Sequence, residues 1–212
     1  MSTTYLVGSL AAVSALACWY SAAKGVQIIY RPTKVGTLVL LVALAASMGA
    51  ADSLHGWALL VGLSCGLVGD VLLLRKDNRA FLAGLSAFLL GHLCYVVVFA
   101  VSWLHPVNAL LAAVLVSPFA VLSLTRVRSG AGQRSGSVMA YATLGYGSIL
   151  SVMAIAAGAT GQPLTLAGGV LFVVSDTVLA LDRFDAPRPY AGVVVIMTYQ
   201  LAQAFIVLGS LS

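Results

Sequence analysis

The chain has 212 residues, 61% hydrophobic and only 8% charged, with a formal net charge of +5. That balance excludes a water-soluble surface and makes the bilayer the solvent. The excess of positive charge needs no nucleic acid, because basic loops facing anionic headgroups account for it.

A spanning helix requires about 20 predominantly apolar residues, and eight segments qualify: 4–23, 35–51, 56–74, 80–104, 107–125, 138–158, 163–181 and 190–208. None shows the dyad alternation of barrel strands, so helices satisfy the backbone. The predicted fold is all-α, a polytopic bundle of eight transmembrane helices in one domain over 1–212. The first segment has no positive leader before it and is read as a retained helix rather than a signal peptide. All eleven lysines and arginines fall in the odd-numbered connections. Lys24, Arg31 and Lys34 are in the first, Arg75, Lys76 and Arg79 in the third, Arg126, Arg128 and Arg134 in the fifth, Arg183 and Arg188 in the seventh. The positive-inside rule then puts both termini on the non-cytoplasmic side.

In chain order, Trp19 and Tyr20 near the end of the first helix suit an interface anchor. In Tyr30-Arg31-Pro32-Thr33-Lys34 the proline presets the start of the second helix, and two cations beside N-terminal amides suit a phosphate. The third helix meets Asp70 about 6 Å inside its basic end. The fourth carries His92 near mid-membrane, with Tyr95 one turn on. Pro118 should kink the fifth helix. RVRSGAGQRSGS then reads as a flexible Gly/Ser linker dividing the chain. The sixth helix carries Tyr146, the seventh Asp176, and the eighth Tyr199, Gln200 and Gln203. Cys18, Cys65 and Cys94 lie inside spans without metal spacing and read as apolar fillers. No cofactor or metal is implied.

The last helices of each half match. His92 and Tyr95 follow Gly84 by eight and eleven residues, as Gln200 and Gln203 follow Gly192. Asp176 takes the place of Asp70. A parallel repeat of four helices, 1–125 and 138–212, follows. Ionisable groups within spans are costly and face a cavity or one another. Two convergent acids sharing one proton supply a general acid and a general base in one place, the pairing that cleaves acetal-like C–O bonds. Asp residues serving only as helix-to-helix contacts, and a proton- or cation-coupled transporter of a small or lipid-like substrate, are the alternatives.

The stretches GDVLLL, FLAGLSAFLLGHLCY, GGVLFVVSDTVLALDRF and MTYQLAQAFIVLG resemble those of the YhhN-like lysoplasmalogenase family, eight-helix integral membrane hydrolases. The Pro32 turn is similar to the family's Lys-Pro turn with Arg31 in place of Lys, which keeps charge and changes donor geometry. The resemblance implies hydrolysis of the vinyl ether of a lysoplasmalogen to a fatty aldehyde and a glycerophospho-base. It makes Asp70 and Asp176 the catalytic pair, with His92, Tyr95, Tyr146, Tyr199, Gln200 and Gln203 holding water and orienting the acids. Arg31 and Lys34 would receive the phosphate. The implied partners are a lysophospholipid, lysoplasmenyl-ethanolamine or -choline, and membrane lipids; the implied location is a bacterial cytoplasmic (inner) membrane.

Overall fold

A computed structural model describes residues 2–75, 77–101 and 105–212. They form eight helices long and apolar enough to cross a membrane. These are α1 (Ser2–Lys24), α2 (Gln27–Ser47), α3 (Leu54–Leu73), α4 (Asn78–Ala100), α5 (Pro106–Ser135), α6 (Ser137–Ala159), α7 (Pro163–Phe184) and α8 (Ala191–Ser210), with a 3-10 turn at Ala50–Asp52 before α3. No strand occurs among the described residues. The protein is an all-α integral membrane bundle. Lys76 of the third connection and the 102–104 end expected for the fourth helix lie outside the described residues.

Local chemistry sets the helix starts. The Ser53 hydroxyl accepts the Gly56 amide at 3.0 Å and Asp77 Oδ1 accepts the Ala80 amide at 2.8 Å, so α3 and α4 begin on side-chain caps. Pro106 and Pro163 open α5 and α7, where a missing N–H costs nothing. Gly136, at φ 85°, provides the left-handed break between α5 and α6.

Without a hydrophobic drive between helices in lipid, close packing holds the bundle. The α3–α4 pair closes through glycines: a Cβ at Gly91 would stand 3.0 Å from the Gly62 carbonyl, and one at Gly69 would stand 2.5 Å from the Phe88 ring. The pair α7–α8 closes likewise at Gly168, against Ile206 and the Ala202 carbonyl. Leu38, Leu63, Phe99, Met153, Phe172 and Ile206 are fully buried in one core cluster.

Two expectations are corrected. Helix α2 begins at Gln27, eight residues before Val35, so Pro32 lies inside it rather than at its start. The pyrrolidine is exposed, which keeps its ring off the packed face. The turn before it closes through the Tyr30 amide on the Val26 carbonyl at 3.0 Å, and the Thr33 hydroxyl covers the Ile29 carbonyl at 2.6 Å. The basic stretch after Thr125 is not a flexible linker. After an unbroken passage through Pro118, α5 takes a π turn at Ser123–Val127 and continues as helix Arg128–Ser135. Tertiary contact overrides the weak propensity of Gly and Ser: Val127 and Ala131 are buried with Phe81, Met139, Leu181 and Phe184. Gly130 sits directly on the Phe184 carbonyl, and Arg134 donates to the carbonyls of Arg183 and Asp185. Those bonds, with Arg183 donating to Asn78 Oδ1 at 2.7 Å, tie the third, fifth and seventh connections to one end of the bundle.

Candidate active site

Asp70 from α3 and Asp176 from α7 line one cavity of about 530 Å³ toward that basic end. The volume falls within the roughly 300–1,000 Å³ of small-molecule pockets. Asp70 is three residues from the end of its helix and Asp176 eight, about 12 Å of rise.

The acids have unlike partners. Lys34 Nζ lies 3.0 Å from Asp70 Oδ1, with side-chain exposures of 10% and 2%. The early start of α2 makes this possible, because Lys34 belongs to the helix and its stem runs inward. Asp70 Oδ2 has no hydrogen-bond partner among the described residues. The Tyr199 hydroxyl stands beside the Asp70 carboxyl without completing a hydrogen bond. Asp176 accepts a hydrogen bond from the Tyr146 hydroxyl, and among the described residues no cation pairs with it. One carboxylate is therefore held by an ammonium and the other by a phenol. A nearby ammonium favours the charged form of a carboxylate, and an acid without a counter-ion lacks that support.

Of the residues singled out in the sequence, Lys34, Tyr146 and Tyr199 line the cavity with the two acids. His92, Tyr95, Gln200 and Gln203 do not; they form a buried layer behind it. Tyr95 donates to Gln203 Oε1 at 2.6 Å, and Gln203 Nε2 donates to the Tyr199 hydroxyl at 3.4 Å. This chain runs from α4 through α8 and ends beside Asp70. The His92 ring packs edge-on against Tyr146 and Phe172, at centroid distances of 5.3 and 4.6 Å, and neither ring nitrogen has a partner among the described residues. Trp19, expected at the membrane interface, instead donates to Gln200 Oε1 at 2.8 Å. Arg31 is exposed and lines no part of the cavity. Of the two cations of the Pro32 segment, only Lys34 reaches the cavity, where it is bound to Asp70.

Sequence reasoning missed the counter-ion role of Lys34 and the polar mouth of the cavity, formed by Arg75, Asp182 and Arg183. An acid within a span demands a cation, and that demand was the available signal; assigning Lys34 to a loop concealed the answer. Among the described residues no group of three His, Cys, Asp or Glu side chains could hold a metal. A second, polar cavity of about 360 Å³ lies at the opposite end near His55, Gln162 and Thr165. Among the described residues, the two cavities have no lining residue in common.

The YhhN family profile matches residues 29–210. The chain belongs to the YhhN family. This YhhN chain is 37% identical over 149 residues to lysoplasmalogenase TMEM86B of Homo sapiens, covering 70% of the chain and 61% of the human protein. It is 33% identical over 185 residues to lysoplasmalogenase TMEM86B of Sus scrofa, covering 83% and 75%. It is 31% identical over 160 residues to lysoplasmalogenase TMEM86A of Bos taurus, covering 71% and 63%. The chain thus spans less than two thirds of the human and bovine proteins it matches. No solved structure matches it.

Proposed function

We propose that this chain is a membrane hydrolase that cleaves the vinyl ether of lysoplasmalogens to a fatty aldehyde and a glycerophospho-base. The carrying observation is that two acids, one from α3 and one from α7, share one cavity with different partners, Lys34 on Asp70 and Tyr146 on Asp176. Membership of a family whose relatives are named lysoplasmalogenase points the same way.

The difference in partners assigns the roles. Asp176 donates its proton to the β-carbon of the enol ether; the C=C electron pair forms that C–H bond, leaving an oxocarbenium ion. Water attacks the α-carbon while Asp70, held as its carboxylate by Lys34, takes the proton that water loses. The hemiacetal then collapses: its hydroxyl proton leaves, the C–O bond to glycerol breaks, and the glycerol oxygen is protonated. One water is consumed and both acids regain their starting states by proton exchange. Tyr146 orients Asp176. The Tyr95–Gln203 chain holds the Tyr199 hydroxyl toward Asp70, and Gln200, anchored by Trp19, with His92 backs this wall. The apolar walls, Leu85, Phe88, Leu150 and Ile196 among them, suit an alkenyl chain.

The whole chain acts as one membrane domain in a bacterial cytoplasmic membrane, its basic end inside and both termini outside, as its cation distribution supports. Two four-helix halves fit a parallel repeat, since Tyr95 and Gln203, which the repeat pairs, meet directly. Coupled transport would need a polar route between the faces, and the absence, among the described residues, of any lining residue shared by the two cavities weighs against one. Purified protein given lysoplasmenylethanolamine is expected to release aldehyde. Asp70→Asn and Asp176→Asn should each lower turnover about 100-fold or more at a temperature where the variant is still folded, Asp70→Asn melting lower because it strands the Lys34 ammonium. Undiminished turnover in both variants would remove the mechanism.

A further inference from the structure

Three cations line the cavity, and two are engaged: Lys34 pairs with Asp70 at 3.0 Å and Arg75 with Asp77 at 3.3 Å. Among the described residues, Arg183 alone of the three has no carboxylate within 4.0 Å. Its guanidinium is nonetheless fixed, lying 3.8 Å above the Phe81 ring and donating through Nη2 to Asn78 Oδ1 at 2.7 Å. A guanidinium has five N–H donors in a planar fork, so most remain for a ligand. Beside it, Asp182 also lines the cavity. Its Oδ1 accepts the Arg188 amide at 2.6 Å, and no cation pairs with it among the described residues.

The spacing to the acid matters. Arg183 follows Asp176 by two helical turns on α7, which places it on nearly the same face and about 10 Å along the axis. Helix side chains lean toward the N-terminus, and the guanidinium lies over Phe81, which lines the same cavity as Asp176. In a glycerol lysolipid with an ether at the first carbon and phosphate at the third, six single bonds of about 1.5 Å separate the cleaved carbon from phosphorus, roughly 7–8 Å extended. The two spans agree.

We propose that Arg183 and Asp182 form the headgroup subsite of the cavity, Arg183 binding the phosphate and Asp182 the ammonium of a zwitterionic lysophospholipid. This deepens the hydrolase reading and rests on it for the lipid's identity. The planar fork matches phosphate oxygens two at a time. The adjacent carboxylate favours phosphoethanolamine and phosphocholine over a headgroup that carries phosphate alone.

The test uses full-length protein in detergent and three alkenyl substrates: lysoplasmenylethanolamine, the alkenyl lysophosphatidic acid without an amine, and the alkenylglycerol without phosphate. Arg183→Gln should raise KM for the ethanolamine lipid roughly 10- to 100-fold, as loss of a hydrogen bond to a charged group does. It should leave kcat and all turnover of alkenylglycerol unchanged, which also shows that the variant folds. Arg183→Lys should recover part of the loss. Asp182→Asn should erase the preference for the ethanolamine lipid over the amine-free one. Direct binding of the saturated 1-O-alkyl lysophosphoethanolamine, which has no vinyl ether to cleave, provides a readout free of catalysis. Arg183-dependent binding of that probe without aldehyde release from any substrate would refute the hydrolase and keep the subsite. Aldehyde release and binding indifferent to Arg183, or an equal loss on alkenylglycerol, would overturn the subsite and keep the hydrolase.

Discussion

Replacing Lys34 by methionine tests the centre of the site directly, because it removes the ammonium while nearly preserving the volume. The ion pair is 3.0 Å long, with side-chain exposures of 10% and 2%. At an effective dielectric near 20, unit charges at that distance attract by about 5–6 kcal/mol. Breaking one partner of such a buried pair costs about 3–5 kcal/mol, because the remaining charge is stranded. In a chain of this size each kcal/mol moves the midpoint about 2–4 °C, so Lys34→Met should melt roughly 6–20 °C below wild type in detergent. The partner change Asp70→Asn in the same chain removes the stranded charge, and the double variant should regain most of that loss while remaining inactive. Thermal unfolding of wild type, both single variants and the double variant forms the cycle. A single Lys34→Met variant melting within about 2 °C of wild type, well short of the shift expected, would refute the reasoning; so would a double variant no more stable than it.

Gly130→Ala places a Cβ 2.0 Å from the Phe184 carbonyl oxygen, a backbone atom with little freedom. It should destabilise by about 1–3 kcal/mol or more and expose the Arg128–Ser135 segment to protease, read by limited proteolysis. His92→Phe keeps a ring between Tyr146 and Phe172 and removes two buried nitrogens that have no partner among the described residues, so it should melt no lower than wild type. His92→Ala, which leaves a cavity, should cost about 3 kcal/mol, seen in the same melts. The Ala80 amide on Asp77, and the Arg188 guanidinium on Asp185, hold those carboxyls below their ordinary value of 3.8. A depressed folded value stabilises above the unfolded one and is lost as pH falls through it. Melting temperature should therefore hold down to about pH 4 on this account and fall below it. Asp185→Asn should melt below wild type at pH 7 and converge with it in acid.

The eight spans were legible in the sequence because hydropathy over about 20 residues is a local property and lipid admits few alternatives. So were Asp70 and Asp176, since a charge within an apolar run is conspicuous. Their partners were not. Whether Asp70 faces Lys34, or Asp176 faces Tyr146, depends on how α2 and α6 rotate against their neighbours, and no window of sequence contains that angle. Pro32 and the Gly/Ser run after Thr125 misled for a related reason: propensity describes an isolated segment, and burial of Val127 and Ala131 outweighed it. His92, Tyr95, Gln200 and Gln203 were marked by polarity, yet only packing placed them behind the cavity wall rather than on it.

By itself, then, the order of residues determined the number of crossings, the basic end and the two acids, because solvent and chain connectivity act on each segment alone. The tertiary structure decided which acid keeps a counter-ion, which cavity cation has no carboxylate beside it among the described residues and which polar groups touch the cavity. Those outcomes depend on contacts between helices distant in sequence, where a few ångströms separate an ion pair from an unpaired charge.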